Sequence, residues 1–87
     1  ELLLGRSDAR VGNLPDFDMG PFGAAELGVS RRHAVICRGE ETLTLTDLGS
    51  TNGTHLNGQR LTPNQPRVLR DGDEIRMGKL VFHIYFK

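Results

Sequence analysis

Tryptophan is missing from this chain, cysteine occurs once, and no apolar run approaches the length of a membrane span. With only four phenylalanines and one tyrosine, most of the interior must be filled by leucine, valine and isoleucine. A single cysteine, Cys37, excludes an internal disulfide and fits a reducing, cytoplasmic setting. It falls in the apolar run 34–37 and reads as a small core residue. Crossing a bilayer takes about 20 successive apolar residues; neither such a stretch nor a signal peptide is visible, so no membrane insertion is expected. An excess of charge is lacking too. Eleven Lys+Arg balance eleven Asp+Glu, which argues against a nucleic-acid binder working through a broad basic face. A local basic pocket is untouched by that argument, because a zero sum says nothing of distribution. Sustained helical periodicity, internal repeats and low-complexity segments are also absent; the window 23–27 is a turn long and bracketed by glycine.

What remains is a chain of 87 residues, read as one domain spanning 1–87 and as a fragment of a longer protein, since it starts at Glu1 without a methionine. Gly, Asn, Asp and Pro recur at short intervals, the punctuation of many short strands. Residues 2–4 form a short apolar run stopped by Gly5. Residues 7–28 read as mostly irregular, with Phe17, Met19 and Phe22 as anchors. Residues 33–38 read as a strand. Residues 42–46 alternate Thr and Leu, the period of a half-buried strand with Leu43 and Leu45 on one face. Residues 54–56 and 59–61 flank Asn57-Gly58, a favoured two-residue hairpin turn because both positions tolerate positive φ. Residues 67–69 and 74–77 flank Asp71-Gly72-Asp73. Residues 80–86 place Leu80, Phe82, Ile84 and Phe86 on one face. This pattern predicts an all-β, two-sheet sandwich, whose function should lie in its polar loops.

Three loops carry chemistry. Ser30-Arg31-Arg32-His33 gathers a hydroxyl, two guanidiniums and an imidazole at a strand entrance, a donor set suited to a phosphate dianion. It reads equally well as a solvated arginine pair beside a loop serine. Residues 49–54, Gly-Ser-Thr-Asn-Gly-Thr, combine two turn-forming glycines with side chains that bond either backbone or ligand. They are also a simple polar hairpin loop, and they are not a P-loop: the Gly-Lys-Ser/Thr ending is missing and no helix follows. Arg6 after Gly5 is, alone, an ordinary strand-end charge. His33, His55 and His83 lie far apart without ligand spacing, so no metal is expected. No coupled nucleophile, base and orienting acid is visible, so no enzyme and no cofactor is read here.

Taken in order, Gly5-Arg6, then Ser30-Arg31-Arg32-His33-Ala34, then residues 47–54 with Leu56-Asn57-Gly58, then residue 69 through Gly72-Asp73-Glu74-Ile75 and Gly78, the chain resembles the forkhead-associated (FHA) domains, and its Ser-Arg-Arg-His form is similar to bacterial members. The resemblance runs from residue 4 to residue 86. It implies a non-catalytic sandwich that recognises phosphothreonine in a partner protein through loops at one end, in Ser/Thr kinase signalling. Carried across by position, it implies phosphate contacts from Arg6, Ser30, Arg31 and Thr51 and a peptide-backbone contact from Asn52. It implies site-shaping roles for Gly5, His33, Gly49 and Gly53. Arg32 is a weaker candidate that reads as solvated.

Two departures accompany the resemblance. The family has one or two strands before its Gly-Arg step, whereas this sequence begins almost at that step; either those strands lie outside this chain or the sandwich lacks them, and in both cases residues 80–86 would present an unpaired edge open to self-association. The stretch 14–27 is longer and more acidic than a short connector, with Asp16, Asp18 and Glu26, and is placed to fold over the binding face. The edge motivates an alternative function, a phospho-independent scaffold or dimerisation module built on the same sandwich.

Overall fold

The computed structural model describes residues 1–86, and its strands follow the apolar alternation of the sequence. In chain order they are β1 (Leu2–Gly5), β2 (Phe17–Asp18), β3 (Ala34–Arg38), β4 (Leu43–Asp47), β5 (Thr54–Leu56), β6 (Gln59–Arg60), β7 (Arg67–Leu69), β8 (Glu74–Met77) and β9 (Leu80–His83), with one 3-10 turn at Gly20–Phe22. Two sheets form, ordered β2-β1-β3-β4-β7 and β6-β5-β8-β9. Every pairing is antiparallel except the short parallel contact of β1 with β2. The expected two-sheet all-β sandwich is the architecture found.

Alternation sets which side chains meet. In β3 and β4, Ala34, Ile36 and Leu45 are buried, with Ile36 opposite Leu45. They join Leu4 and Leu69 from the same sheet and face Leu56, Ile75 and Met77 from the other, with Leu61 beside them. Period-two burial is what a sheet with one covered face requires. The β5–β6 hairpin turns on Asn57 and Gly58, with φ of 49° and 85°. That pair of left-handed residues matches the twist of the flanking strands.

Several expectations need correction. Cys37 is half-buried, opposite Thr44, on the face of β3 that points away from the core; the alternation that buries Ala34 and Ile36 turns it outward. Of the three proposed anchors only Met19 is buried, at 4% exposure, whereas Phe17 and Phe22 are 46% and 60% exposed. The strand read over 80–86 closes at His83. Its alternation nonetheless continues, because Leu80, Phe82, Ile84 and Phe86 all pack on the core. β9 has one strand partner, β8, among the described residues. The acidic stretch 14–27 runs beside β1: the Asp16 carboxylate accepts from the Leu3 N–H (2.7 Å), and Asp18 accepts from the Ser7 N–H (3.0 Å), the Ser7 hydroxyl (2.8 Å) and the Gly20 N–H (2.8 Å).

Candidate functional site

Strand direction brings distant residues to one end. β1 and β4 both run antiparallel to β3, with Leu4 opposite Ala34 and Ala34 opposite Asp47. The end of β1, the start of β3 and the end of β4 therefore coincide, and Gly5-Arg6, the loop 28–33 and the loop 49–54 gather there. Backbone bonds close the junctions: His33 N–H donates to Leu4 O, and Leu48 N–H donates to His33 O, each at 3.0 Å.

His33 is the internal strut. Its ring is fully buried. Nδ1 accepts the Ser30 N–H at 2.9 Å, so the ring proton sits on Nε2, which lies 2.9 Å from Gly53 O. One side chain thus ties two loops together, and both its nitrogens are engaged. Burial pushes its pKa below the usual 6.5, against the opposing pull of the Gly53 carbonyl and the Asp47 charge, so the strut is neutral. Asp47, also buried, holds the second loop from below. Its carboxylate accepts from the Gly49 and Ser50 N–H groups (3.0 and 3.2 Å) and from the Ser50 and Thr54 hydroxyls (2.5 and 2.6 Å). Burial raises the Asp47 pKa, but these bonds outweigh it and keep the group below the ordinary carboxylate value.

The residues singled out for binding sit on this frame. The Arg6 Nε donates to Val29 O at 2.8 Å, which fixes the guanidinium plane while neither terminal nitrogen makes a hydrogen bond among the described residues. The Ser30 hydroxyl accepts the Thr51 N–H at 3.2 Å, so its own proton can be donated elsewhere. Thr51 is exposed above it. The Asn52 amide donates to Gly28 O at 2.9 Å, leaving its oxygen and second hydrogen unengaged among the described residues. Arg32 is exposed, without a hydrogen bond or ion pair among the described residues. Gly49 and Gly53 bracket their loop with φ of 76° and 85°. Gly5 is required by close approach, because a Cβ there would overlap the Arg31 carbonyl oxygen.

Arg31 departs from a simple cradle. Its Nη1 lies 3.3 Å from Asp8, whose carboxylate also takes the Arg10 N–H (3.0 Å) and the Arg10 guanidinium (3.2 Å to each oxygen). The Arg10 hydrogen bond is the main reason that Asp8 titrates below the usual carboxylate range. Beside it, the Asn13 amide donates to both Arg6 O and Arg31 O, each at 2.9 Å. Asp8 and Asn13 are joined through their backbones by two 3.0 Å bonds. Sequence reading missed both residues. The only signal was the density of polar and glycine residues between Ser7 and Leu14, which marks a turn but not what its side chains touch. Asp47 was visible in the motif but carried no assigned role.

Among the described residues no group of three His, Cys, Asp or Glu side chains is arranged to hold a metal, and no helix is long and apolar enough to cross a membrane.

The family model described as FHA domain matches residues 2–78. The oxoglutarate dehydrogenase inhibitor of Corynebacterium jeikeium is 39% identical over 82 residues, covering 92% of this chain and 53% of the relative. Protein FraH of a Nostoc species is 42% identical over 65 residues, covering 75% of this chain and 22% of that protein. The chain thus spans about half the length of the first relative and less of the second. Among solved structures, the N-terminal FHA domain of S. cerevisiae Rad53p in complex with a phosphothreonine peptide superposes with a TM-score of 0.78 at 33% identity, covering 99% of this chain and 67% of that one. A structure described as an analysis of phosphothreonine-dependent FHA domain interactions gives 0.75 at 31% identity, covering 99% and 76%.

Proposed function

The chain belongs to the forkhead-associated family, and from that premise we propose that it is a phosphothreonine-peptide reader that joins partner proteins in a phosphorylation-dependent way within cytoplasmic Ser/Thr kinase signalling. The observation that carries this reading is the junction itself: Arg6, Ser30, Arg31, Thr51 and Asn52, drawn from three separated segments, stand on loops locked to one another by His33 and Asn13.

The chemistry follows from what each group has left to offer. A phosphothreonine carries a charge of about −1.5 to −2 near neutral pH and three strong acceptor oxygens. Arg6, held at Nε, presents two terminal nitrogens in a fixed plane, so little rotamer freedom is lost on binding. Ser30 and Thr51 supply neutral hydroxyl donors between the cations. Arg31 exchanges the Asp8 carboxylate for the phosphate, and Asp8 keeps Arg10 as its counter-ion. Asn52 offers one donor and one acceptor, the complement of an extended peptide backbone. Both His33 nitrogens are engaged in structure, so this ring serves as a strut and not as a base, in keeping with a module that binds and does not transform.

A second reading, the phospho-independent scaffold, is favoured by one feature. Val81 on the outer side of β9 lies with Phe17 and Phe22 around an apolar hollow, beside an edge of β9 that has no strand partner among the described residues. A degenerate phosphothreonine library and a sizing column separate the two. Retention of phosphorylated peptides by a monomer is expected; self-association with no phosphopeptide retained would replace the reader by the scaffold.

A further inference from the structure

On the outer face of the four-stranded sheet, three cationic or protonatable side chains stand in one cross-strand row. Arg60 of β6 is paired with His55 of β5, and His55 with Arg76 of β8. Directly opposed residues on a sheet lie about 5 Å apart at Cβ, so the two arginines stand on either side of the His55 ring, two strands apart. Arg60 and Arg76 are exposed and His55 is half-buried. Among the described residues neither arginine has an ion-pair or hydrogen-bond partner, and His55 Nδ1 is shielded from water without a partner. Glu74, two residues before Arg76 on the same face, lies 3.9 Å from His83 instead. Nor do the aspartates compensate the row. Among the described residues the ion pairs join Asp8 to Arg10 and Arg31, and Glu74 to His83; no carboxylate lies within ion-pair distance of Arg60 or Arg76. In a chain of zero net charge, Arg60 and Arg76 thus stand on one sheet face without an ion-pair partner among the described residues.

The row is continuous with the loops already described. A Cβ built on Gly53 would come within 2.9–3.0 Å of the Arg60 guanidinium, so that guanidinium lies over the residue following Asn52. From Arg60 to Arg76 is two strand spacings, about 10 Å, which roughly three residues of extended peptide cover.

We infer that the Arg60–His55–Arg76 row is a second contact surface that receives acidic side chains of the same partner chain whose phosphothreonine occupies the loops. The inference rests on the phosphothreonine reading and extends it to the class of partner selected: segments carrying carboxylates within about three to six residues of the phosphothreonine. A carboxylate arriving there gives both arginines their missing counter-ion. It also meets a His55 ring that burial and the two flanking guanidiniums hold below its usual pKa; the ring gains affinity for a proton as the acid docks.

The test uses four peptides of one sequence, with phosphothreonine or threonine at the centre and three flanking Glu or three Gln, titrated into the wild-type chain and the Arg60→Gln/Arg76→Gln variant. The phospho-Glu peptide should bind wild type about three- to tenfold tighter than phospho-Gln at low salt. The gap should close at high salt and in the variant, where phospho-Glu loses more affinity than phospho-Gln. The variant should melt no lower than wild type, since the two exposed arginines hold no ion pair or side-chain hydrogen bond among the described residues. Equal affinities in wild type, or a preference that survives the variant, would overturn the inference while leaving the loop reading intact. If neither phosphopeptide binds, the loop reading falls. The row is then judged by NMR shifts of His55 and Arg60 with threonine-Glu against threonine-Gln: shifts from the former alone support it, none overturns it. An oligonucleotide of equal charge that displaces the Glu peptide with higher affinity would also overturn it, in favour of nucleic acid.

Discussion

The two halves of this small sandwich are held together by different forces. In the interior, Leu4, Ile36, Leu45, Ile75 and Met77 exclude water by contact alone, and any apolar side chain of suitable volume would serve roughly as well. At the loop end, His33, Asp47, Asn13 and Asp8 hold backbone through directed bonds, and few substitutes have donors and acceptors in the same places. The contrast teaches that stability and recognition are separable here. The core sets whether the chain folds; the polar lattice sets whether three loops present their side chains together.

The largest expected effect tests the core side. Leu45→Ala removes a fully buried side chain opposite Ile36 and should cost about 2–5 kcal/mol of unfolding free energy. Below the melting transition, phosphopeptide affinity should stay within about twofold, a shift of roughly 0.4 kcal/mol. Denaturant unfolding together with titration calorimetry measures both. A large affinity loss in the folded variant would break the separation. Next, Arg6→Ala deletes a charge-assisted donor and should weaken phosphopeptide binding by about 1.5–3 kcal/mol, ten- to hundredfold, with the melting temperature little moved.

A subtler variant sharpens the boundary between the two regions. Asn13→Leu touches no phosphate, yet removes both bonds to the Arg6 and Arg31 carbonyls. At about 0.5–1.5 kcal/mol per bond, it should lower affinity several-fold through misplacement of the arginines. In double-mutant cycles with Arg6→Ala and with Arg31→Ala the losses should be non-additive, because Asn13 acts through both residues. Additive losses would assign Asn13 to general loop stability.

The smallest effect is the pH response. His33 and His55 titrate below 6.5 in the folded chain, the first through burial and the second through burial and neighbouring arginines. As pH falls through 6.5 the unfolded chain takes up protons that the folded chain refuses, so stability declines. Below the usual carboxylate value of 3.8 a second decline follows, as protons bind aspartates that the folded state holds ionised, among them Asp18 and Asp47. Urea midpoints between pH 7.5 and 3 should show both steps. The first should vanish in a folded His33→Gln/His55→Gln variant; its persistence there would assign the step to other groups.

Much of the interior was legible in the sequence, because period-two patterns report sheet faces directly. Leu43 and Leu45, and the run from Leu80 to Phe86, show this well. Cys37 illustrates the limit: an apolar run hides its own phase, and the register with β4 decides which residues turn inward. Phe17 and Phe22 show another, since aromatic character says nothing of where an irregular segment lies. The loop motifs marked Arg6, Ser30, Arg31, Thr51 and Asn52 as residues at one end of the fold. Asp8 and Asn13 stayed hidden because their bonds span 23 and 18 residues to Arg31 inside a turn of ordinary composition. The Arg60–His55–Arg76 row was equally invisible, since it exists only once three strands are in register.

The most direct test of the central claim is a residue-resolved NMR titration of the wild-type chain with a phosphothreonine peptide and its unphosphorylated twin. The account predicts saturable shifts at Arg6, Ser30, Arg31, Thr51 and Asn52 with the phosphorylated peptide and none there with the twin. Identical shifts from both peptides, or shifts that leave those five residues untouched, would contradict it.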